Sequence, residues 1–376
     1  MQISVWEKES FFAPKDILIV GSGLVGLWSA WYLKKKAPLL SITILDRGLI
    51  PTGASTRNAG FACFGSATEL IADTKTMGDT KMLELVELRF RGLERIRKEL
   101  GEKATGFEWC GGYELITEQN DPGKTALEDQ LGWLNKQLRP ITRKDRTFRL
   151  HPNRLKKFSF GHTAHLIGNK LEGALHSGQL CQALLQKVQG LGVTVLNGIE
   201  VTGYEKTGQY FSVHNSQQLP LKASQLLFCT NAFSSQLLPG VDIVPARGQM
   251  LLTSPIANLP FKGTFHYDEG FYYFRHLGNR VLLGGARNKA FEAETTTEMT
   301  TTELIQQELE HFLATYLLPG KAYTITDRWS GIMGMGSEKM PIIKEITPGV
   351  FCAVRMSGMG VALAPVAGEY MARQMA

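Results

Sequence analysis

A chain of 376 residues with 43% hydrophobic and 20% charged residues, 39 glycines and only 15 prolines has the composition of a compact globular protein. That length exceeds what one hydrophobic core usually serves, so two domains are expected and disorder is not. Lys and Arg outnumber Asp and Glu by 41 to 35, a net charge of +6, but the excess is spread along the chain, which argues against a nucleic-acid binder with its concentrated basic stripe.

The five cysteines, at 63, 110, 181, 229 and 352, stand far apart with no CxxC and no Cys/His cluster. That pattern implies reduced thiols in the cytoplasm and excludes a disulfide frame or structural zinc. His162, His165 and His176 include one HxxH pair without supporting carboxylates, so no metal site is expected. The opening MQISVWEKESFF is amphipathic and acidic, unlike a secretory signal.

The first informative stretch is Asp16 to Lys36, DILIVGSGLVGLWSAWYLKKK, uncharged from Ile17 to Leu33 and closed by three lysines. A membrane anchor with a stop signal and a soluble nucleotide-binding turn both fit that hydropathy. The order of residues favours the turn. Ile17 to Val20 reads as a buried strand, Gly21, Gly23 and Gly26 form GxGxxG with Leu24 and Val25 between, and Leu27 to Leu33 reads as a helix ending in lysines that suit its negative C-terminal end. Gly21 permits the sharp turn, Gly23 lets backbone N–H groups approach a pyrophosphate, and Gly26 lets the helix pack against the sheet. A second strand, SITILDR, follows and ends in Asp46, twenty residues beyond Gly26, where a carboxylate accepts hydrogen bonds from ribose hydroxyls. Arg47 beside it would suit a 2′-phosphate, which the carboxylate repels. A dinucleotide with a free ribose is therefore expected.

The loop PTGASTRNAGFACFGS comes next, its small residues suited to lying against a flat ligand, with Arg57 and Asn58 able to bond phosphate or carbonyl oxygens. Apolar positions Met82, Val86, Phe90, Leu93, Ile96 and Leu100 predict an amphipathic helix over 79–100, and GGYELIT a strand. A helix over Gln179 to Val188, the strands of VTVLNGIEVTGYE and a core strand at Leu226 to Cys229 follow, the last delivering the Cys229–Ala232 loop with Thr230 and Asn231 to the sheet edge. PARGQMLLT, GFYYF and NRVLLGGAR read as strands, and Ile305, Leu309, Phe312 and Tyr316 mark another amphipathic helix. The chain ends in VFCAVRMSGMGVALAPVAGEYMARQM, a glycine turn and a helix.

GSGLVG, ASTRNAGF, GALHSGQL, PARGQ, the YYF and NRVLLGG strands and SGMGVALAPVAGE occur in an order that resembles the D-amino-acid oxidase superfamily of flavoenzymes, which includes glycine, sarcosine and γ-glutamylputrescine oxidases. The resemblance covers almost the whole chain. It implies an α/β protein: a Rossmann-like FAD-binding domain built from discontinuous segments (1–78, 147–240, 325–376) and an α+β substrate domain (79–146, 241–324) whose mainly antiparallel sheet roofs the flavin. Gly21, Gly23, Gly26 and Asp46 would hold the pyrophosphate and ribose. Ser55, Arg57, Asn58, Ala59 and Gly60 would lie near pyrophosphate and flavin, Val201 would meet adenine, and Gly358, Met359 and Gly360 would contact the ribityl chain and pyrimidine edge.

Departures bear on the substrate. The arginine that grips the carboxylate in glycine oxidases falls on Met333, and the second falls on Gly358, leaving Arg355 as a displaced candidate. Tyr272 and Tyr273 lie in the roof strand, where alternation lets only one face the pocket. Arg247 and Arg287 are further anion candidates, Arg247 the more structural. No cysteine lies between Trp329 and Pro341, so FAD is expected without a covalent link, and Leu282 stands where sarcosine oxidases place an oxygen-activating lysine. The resemblance implies hydride transfer from an amine or amino acid to flavin N5, hydrolysis of the resulting imine to a carbonyl compound, and O2 or another electron acceptor, with no stable nucleic-acid or membrane partner. A nicotinamide dehydrogenase with the same turn, and an FAD oxidoreductase acting on modified tRNA, are the alternatives.

Overall fold

The computed structural model describes residues 2–376. The stretch that raised the membrane question divides into a strand, Lys15–Val20, and a helix, Leu24–Lys36. Nine of the helix's thirteen residues are buried, as expected of a helix apolar on every side inside a protein. Among the described residues no helix is long and apolar enough to cross a membrane.

Lys15–Val20 is central to the first sheet. It pairs in parallel with Ile42–Asp46 on one side and Leu221–Phe228 on the other. Thr194–Asn197 extends the parallel set beyond Ile42–Asp46, and Val350–Val354 extends it beyond Leu221–Phe228. Strand, helix, strand in parallel makes the crossover of a dinucleotide fold, with ligand space at the C-terminal strand ends.

The second sheet is mostly antiparallel, in the order Ile325–Met335, Val244–Thr253, Arg280–Gly285, Tyr272–Leu277, Thr264–Tyr267, Gly112–Thr117, Thr163–Asn169, Phe148–Leu150. Strands Phe148–Leu150, Thr163–Asn169 and Ile325–Met335, expected in the FAD domain, belong to the second sheet. Helices Asp79–Leu100 and Lys124–Thr142, expected in the substrate domain, bury Leu85, Val86, Leu93, Leu131 and Leu134 in the same core as Trp28 and Ile44. An amphipathic helix buries its apolar stripe wherever a matching face exists, and the stripe does not say which sheet provides it.

Three helices meet at glycines. A Cβ on Gly92 would lie 1.7 Å from the Ala362 carbonyl oxygen, and one on Gly368 would lie 2.6 Å from the Trp28 carbonyl carbon. These contacts draw Asp79–Leu100 and Leu24–Lys36 onto the terminal helix Gly360–Met375. Gly92→Ala and Gly368→Ala are each expected to destabilise by about 1–3 kcal/mol, because backbone must move. Gly132→Ala, at an exposed helical site with nothing within 4 Å, should stabilise by about 0.5–1 kcal/mol. Urea denaturation of the three variants checks both signs.

Candidate active site

A cavity of about 400 Å³ runs from Asp46 at one end to Tyr273, His266 and Arg287 at the other, between the two sheets. Its floor is the glycine turn. Gly21 has φ +108°, and a Cβ there would approach the Cys229 carbonyl oxygen to 2.8 Å; a Cβ on Gly26 would approach the Gly21 oxygen to 2.0 Å. Gly26 stands behind the turn and off the cavity wall, whereas Gly21, Gly23, Leu24 and Val25 line it. Helix Leu24–Lys36 starts at Gly23 without a side-chain cap, although the Ser55 hydroxyl accepts from Leu24 N at 2.9 Å.

Helix Gly360–Met375 also starts uncapped against the cavity, after the turn at Gly358, φ +79°. Gly358, Met359 and Gly360 all line it, and the adjoining Ser357 hydroxyl is buried there without a partner. Two open helix starts face an elongated groove and attract anionic or carbonyl oxygens. The backbone approach, the two helix ends and the orphaned hydroxyl fit a flavin dinucleotide.

The Asp46 end of the cavity is built from several segments. Asp46 Oδ2 accepts from Ser22 N at 2.8 Å and Ser22 Oγ at 2.7 Å, and Oδ1 from Gly48 N at 2.9 Å, which fixes the carboxylate at the groove. Arg47 lies over the Phe233 ring at 3.9 Å, and Val201 also lines the cavity. Thr230 and Asn231 line the cavity from the 229–232 loop.

The loop from Ala54 to Phe64 behaves differently from expectation. Ser55, Arg57, Asn58 and Ala59 line the cavity, but the polar groups of Arg57 and Asn58 are largely engaged by the protein itself. Arg57 donates to the Thr52 and Ser330 carbonyls at 2.9 and 3.0 Å, and Asn58 to the Ala54 and Ser55 carbonyls at 3.0 and 2.8 Å. Asn58 Oδ1 also accepts from Gly60 N and the Ser177 hydroxyl. Gly60 lies behind the wall, its carbonyl bonded by Arg275 at 2.9 Å. Arg275, buried in the roof strand, also donates to the Leu175 carbonyl at 2.8 Å and so clasps roof to loop.

One transverse row of the second sheet faces this loop. Register places Glu114, His266, Tyr273, Gly284, Met250 and Trp329 side by side. A Cβ on Gly284 would lie 2.7 Å from the Tyr273 ring, so this glycine makes room for the phenol, which reaches across toward Gly248. Tyr273 lines the cavity. Tyr272 points the other way, donating to Glu308 Oε1 at 2.6 Å and packing on Phe312, because neighbouring strand residues face opposite sides.

The arginine candidates separate clearly. Arg287 lines the cavity, half-buried, with its guanidinium 5.0 Å from the Phe291 ring centre and, among the described residues, no carboxylate partner. Arg355 is removed as a substrate ligand: it stands off the cavity wall, paired with Asp242 and with Glu338 at 3.5 Å. Arg247 is buried against Glu294 at 2.7 Å. Met333 lines the cavity beside Gly358, and Leu282 is buried in the roof against Ala59 and Met250. The histidines noted in the sequence serve locally: His162 and His165 face Glu118 and Asp121, and His176 caps helix Ser177–Gly190.

Sequence reasoning missed Phe61, Cys63, Glu69, His266 and Lys339, all on the cavity wall. The signal for three of them was present. FACF in a polar loop and a lone histidine in a β-rich run were visible, but their convergence depends on sheet register.

Residues 16–374 match the DAO family, FAD dependent oxidoreductase, and the chain belongs to that family. It is an FAD-dependent oxidoreductase, which sets aside the nicotinamide alternative. It is 22% identical to the probable oxidoreductase OrdL of Haemophilus influenzae over 95% of this chain and 82% of that one. Against the bifunctional protein ThiO/ThiG of Synechocystis it is 26% identical over 63% of this chain, spanning only 32% of that longer protein. In fold it is similar to L-proline dehydrogenase from P. horikoshii, with a TM-score of 0.77 at 19% identity over 96% of this chain and 93% of that one. Glycine oxidase from Geobacillus kaustophilus gives 0.77 at 18% identity over 96% and 94%.

Behind the wall, Glu172 accepts from Phe64 N at 2.8 Å and is fully enclosed; burial pushes its carboxyl up to about 8 from 4.5. The folded protein therefore binds a proton there that the unfolded chain has released, so this group's contribution to stability falls as pH rises from about 4.5 to about 8. Glu172→Gln keeps the oxygen acceptor and removes the titration. Its stability relative to the parent should climb across that window, and a difference independent of pH in chemical unfolding would refute the assignment.

Proposed function

We propose that this enzyme oxidises the C–N bond of an amine that also carries a carboxylate, an amino acid or N-substituted amino acid, to an imine that hydrolyses to a carbonyl compound. The observation that carries the reading is Arg287: a guanidinium on the wall of the flavin cavity without a carboxylate partner among the described residues. Desolvation lowers its pKa from 12.5, but an arginine stays charged in that range. It lies close enough to Tyr273 for its charge to act on the phenol, which burial raises to about 12, so the hydroxyl remains a donor. Guanidinium and phenol together suit a carboxylate. The names of the neighbouring structures, glycine oxidase and L-proline dehydrogenase, designate enzymes of compounds that hold an amine beside a carboxylate.

When bound, FAD supplies the hydride acceptor at N5. The chain's own residues orient the carbon and set the protonation of the nitrogen. With the carboxylate fixed, the C–H bond is held against the cofactor, and positioning of that kind provides much of the rate. Phe61, Phe271, Met333 and Met356 line the surrounding wall. An apolar wall lowers an ammonium pKa by desolvation, so the amine enters its reactive neutral form without a dedicated side-chain base. Cys63 and Cys229 are buried, and desolvation pushes both thiols up, which opposes a nucleophilic thiolate and supports a non-covalent cofactor.

The yellow holoenzyme should bleach anaerobically with at least one member of a panel of N-alkyl glycines, D- and L-amino acids and polyamine derivatives. Arg287→Met should raise KM for the carboxylate-bearing substrate by about 10- to 100-fold with a smaller effect on kcat. An unchanged KM would remove Arg287 from the role. Acid precipitation should leave all colour in the supernatant; a yellow pellet would contradict the non-covalent assignment.

A further inference from the structure

Near Tyr273 the cavity wall carries further polar groups that the chemistry above does not use. His266 lines it at only 7% exposure, and neither ring nitrogen has a hydrogen-bond partner. Burial lowers its pKa to about 4, so at neutral pH the ring offers one N–H donor and one acceptor. Glu69, from helix Ala67–Met77, faces the same space. Its Oε1 accepts from Arg89 at 3.3 Å and Lys339 at 3.1 Å, whereas Oε2 accepts from no group among the described residues. The two side chains converge: a Cβ on Gly270 would lie 3.6 Å from His266 Nδ1 and 3.9 Å from Glu69 Oε2.

Charge narrows what fits. Glu69 and Asp73 are matched by Arg89 and Lys339, two of each sign in one cluster. An ammonium at Oε2 would face the two cations already on the same carboxylate. A second carboxylate would be repelled by the free oxygen. A neutral group that both donates and accepts satisfies both open partners, and leaving buried polar groups unpaired is unfavourable.

The geometry points to a subsite for a carboxamide at the far end of the substrate, its N–H donating to Glu69 Oε2 and its oxygen accepting from His266. This rests on the reading that Arg287 takes the carboxylate. His266 and Tyr273 are opposite each other on neighbouring strands, and Phe61 packs edge-on to both rings, at 5.2 and 6.2 Å. The two ends of the substrate are thus separated by a short aliphatic chain.

Equilibrium binding to the FAD-loaded enzyme, followed by calorimetry, tests this with carboxylates that have no oxidisable amine. Succinamate and glutaramate are compared with succinate and glutarate, and with the isosteres in which isopropyl replaces the carboxamide. The better amide should bind at least about tenfold more tightly than its isostere and its diacid, and the preference should fall below about threefold in His266→Leu and in Glu69→Gln. Unchanged isostere affinity in either variant shows an intact pocket. Equal binding of all ligands to the parent, or a preference preserved in both variants, overturns the subsite while leaving the carboxylate anchor standing. Failure of every ligand to bind overturns the anchor and the subsite with it.

Discussion

The approach of Gly26 to the backbone of Gly21 is the constraint on which the rest is built. With no Cβ on either residue, the first helix begins directly over the end of the central strand, and the Cys229 carbonyl closes in from the next strand. That compression puts the positive end of the helix at the cavity floor, and the terminal helix brings a second open start to the same groove. Any side chain at these points would push the elements apart.

The roof is joined to this floor by Arg275, whose guanidinium binds the Gly60 and Leu175 carbonyls from within the second sheet. The loop is thereby pinned from above, while Trp329 donates to the Arg57 carbonyl at 3.1 Å from the sheet's far strand. These contacts fix the roof, with Arg287 and Tyr273 on the cavity wall, against the floor with its glycine turn. The polar groups of the cavity differ accordingly. Those near Asp46 are tied to the protein, and those near Tyr273 include, among the described residues, a guanidinium without a carboxylate partner, an unpartnered imidazole and a carboxylate oxygen without a donor.

Much of the fold was legible. The strand, glycine turn, helix and acidic strand of residues 16–46 appear in the order read, and the roof strands at PARGQMLLT, YYF and NRVLLGG pair as one sheet. Helices Ala67–Met77 and Lys124–Thr142 were not read, although Leu127, Leu131, Leu134 and Leu138 carry the helical period. The pairing of strands 148–150, 163–169 and 325–335 into the second sheet was not legible, since a strand's sequence does not name its neighbour. Alternation correctly limited the tyrosine pair to one pocket residue without deciding which.

Sequence by itself determined the glycine turn and the carboxylate beside it, because a turn, a helix start and the acid that follows are local: their spacing along the chain is their spacing in space. Only tertiary structure decided the opposite end of the cavity. Glu69, His266, Arg287 and Lys339 are separated by up to 270 positions and converge through strand register and helix packing. The same contacts withdrew Arg355 and Tyr272 by giving their side chains partners elsewhere, in Asp242 and Glu308. Whether a charged or polar group is free to meet a ligand depends on what else lies within hydrogen-bond reach, and that is a property of the folded chain.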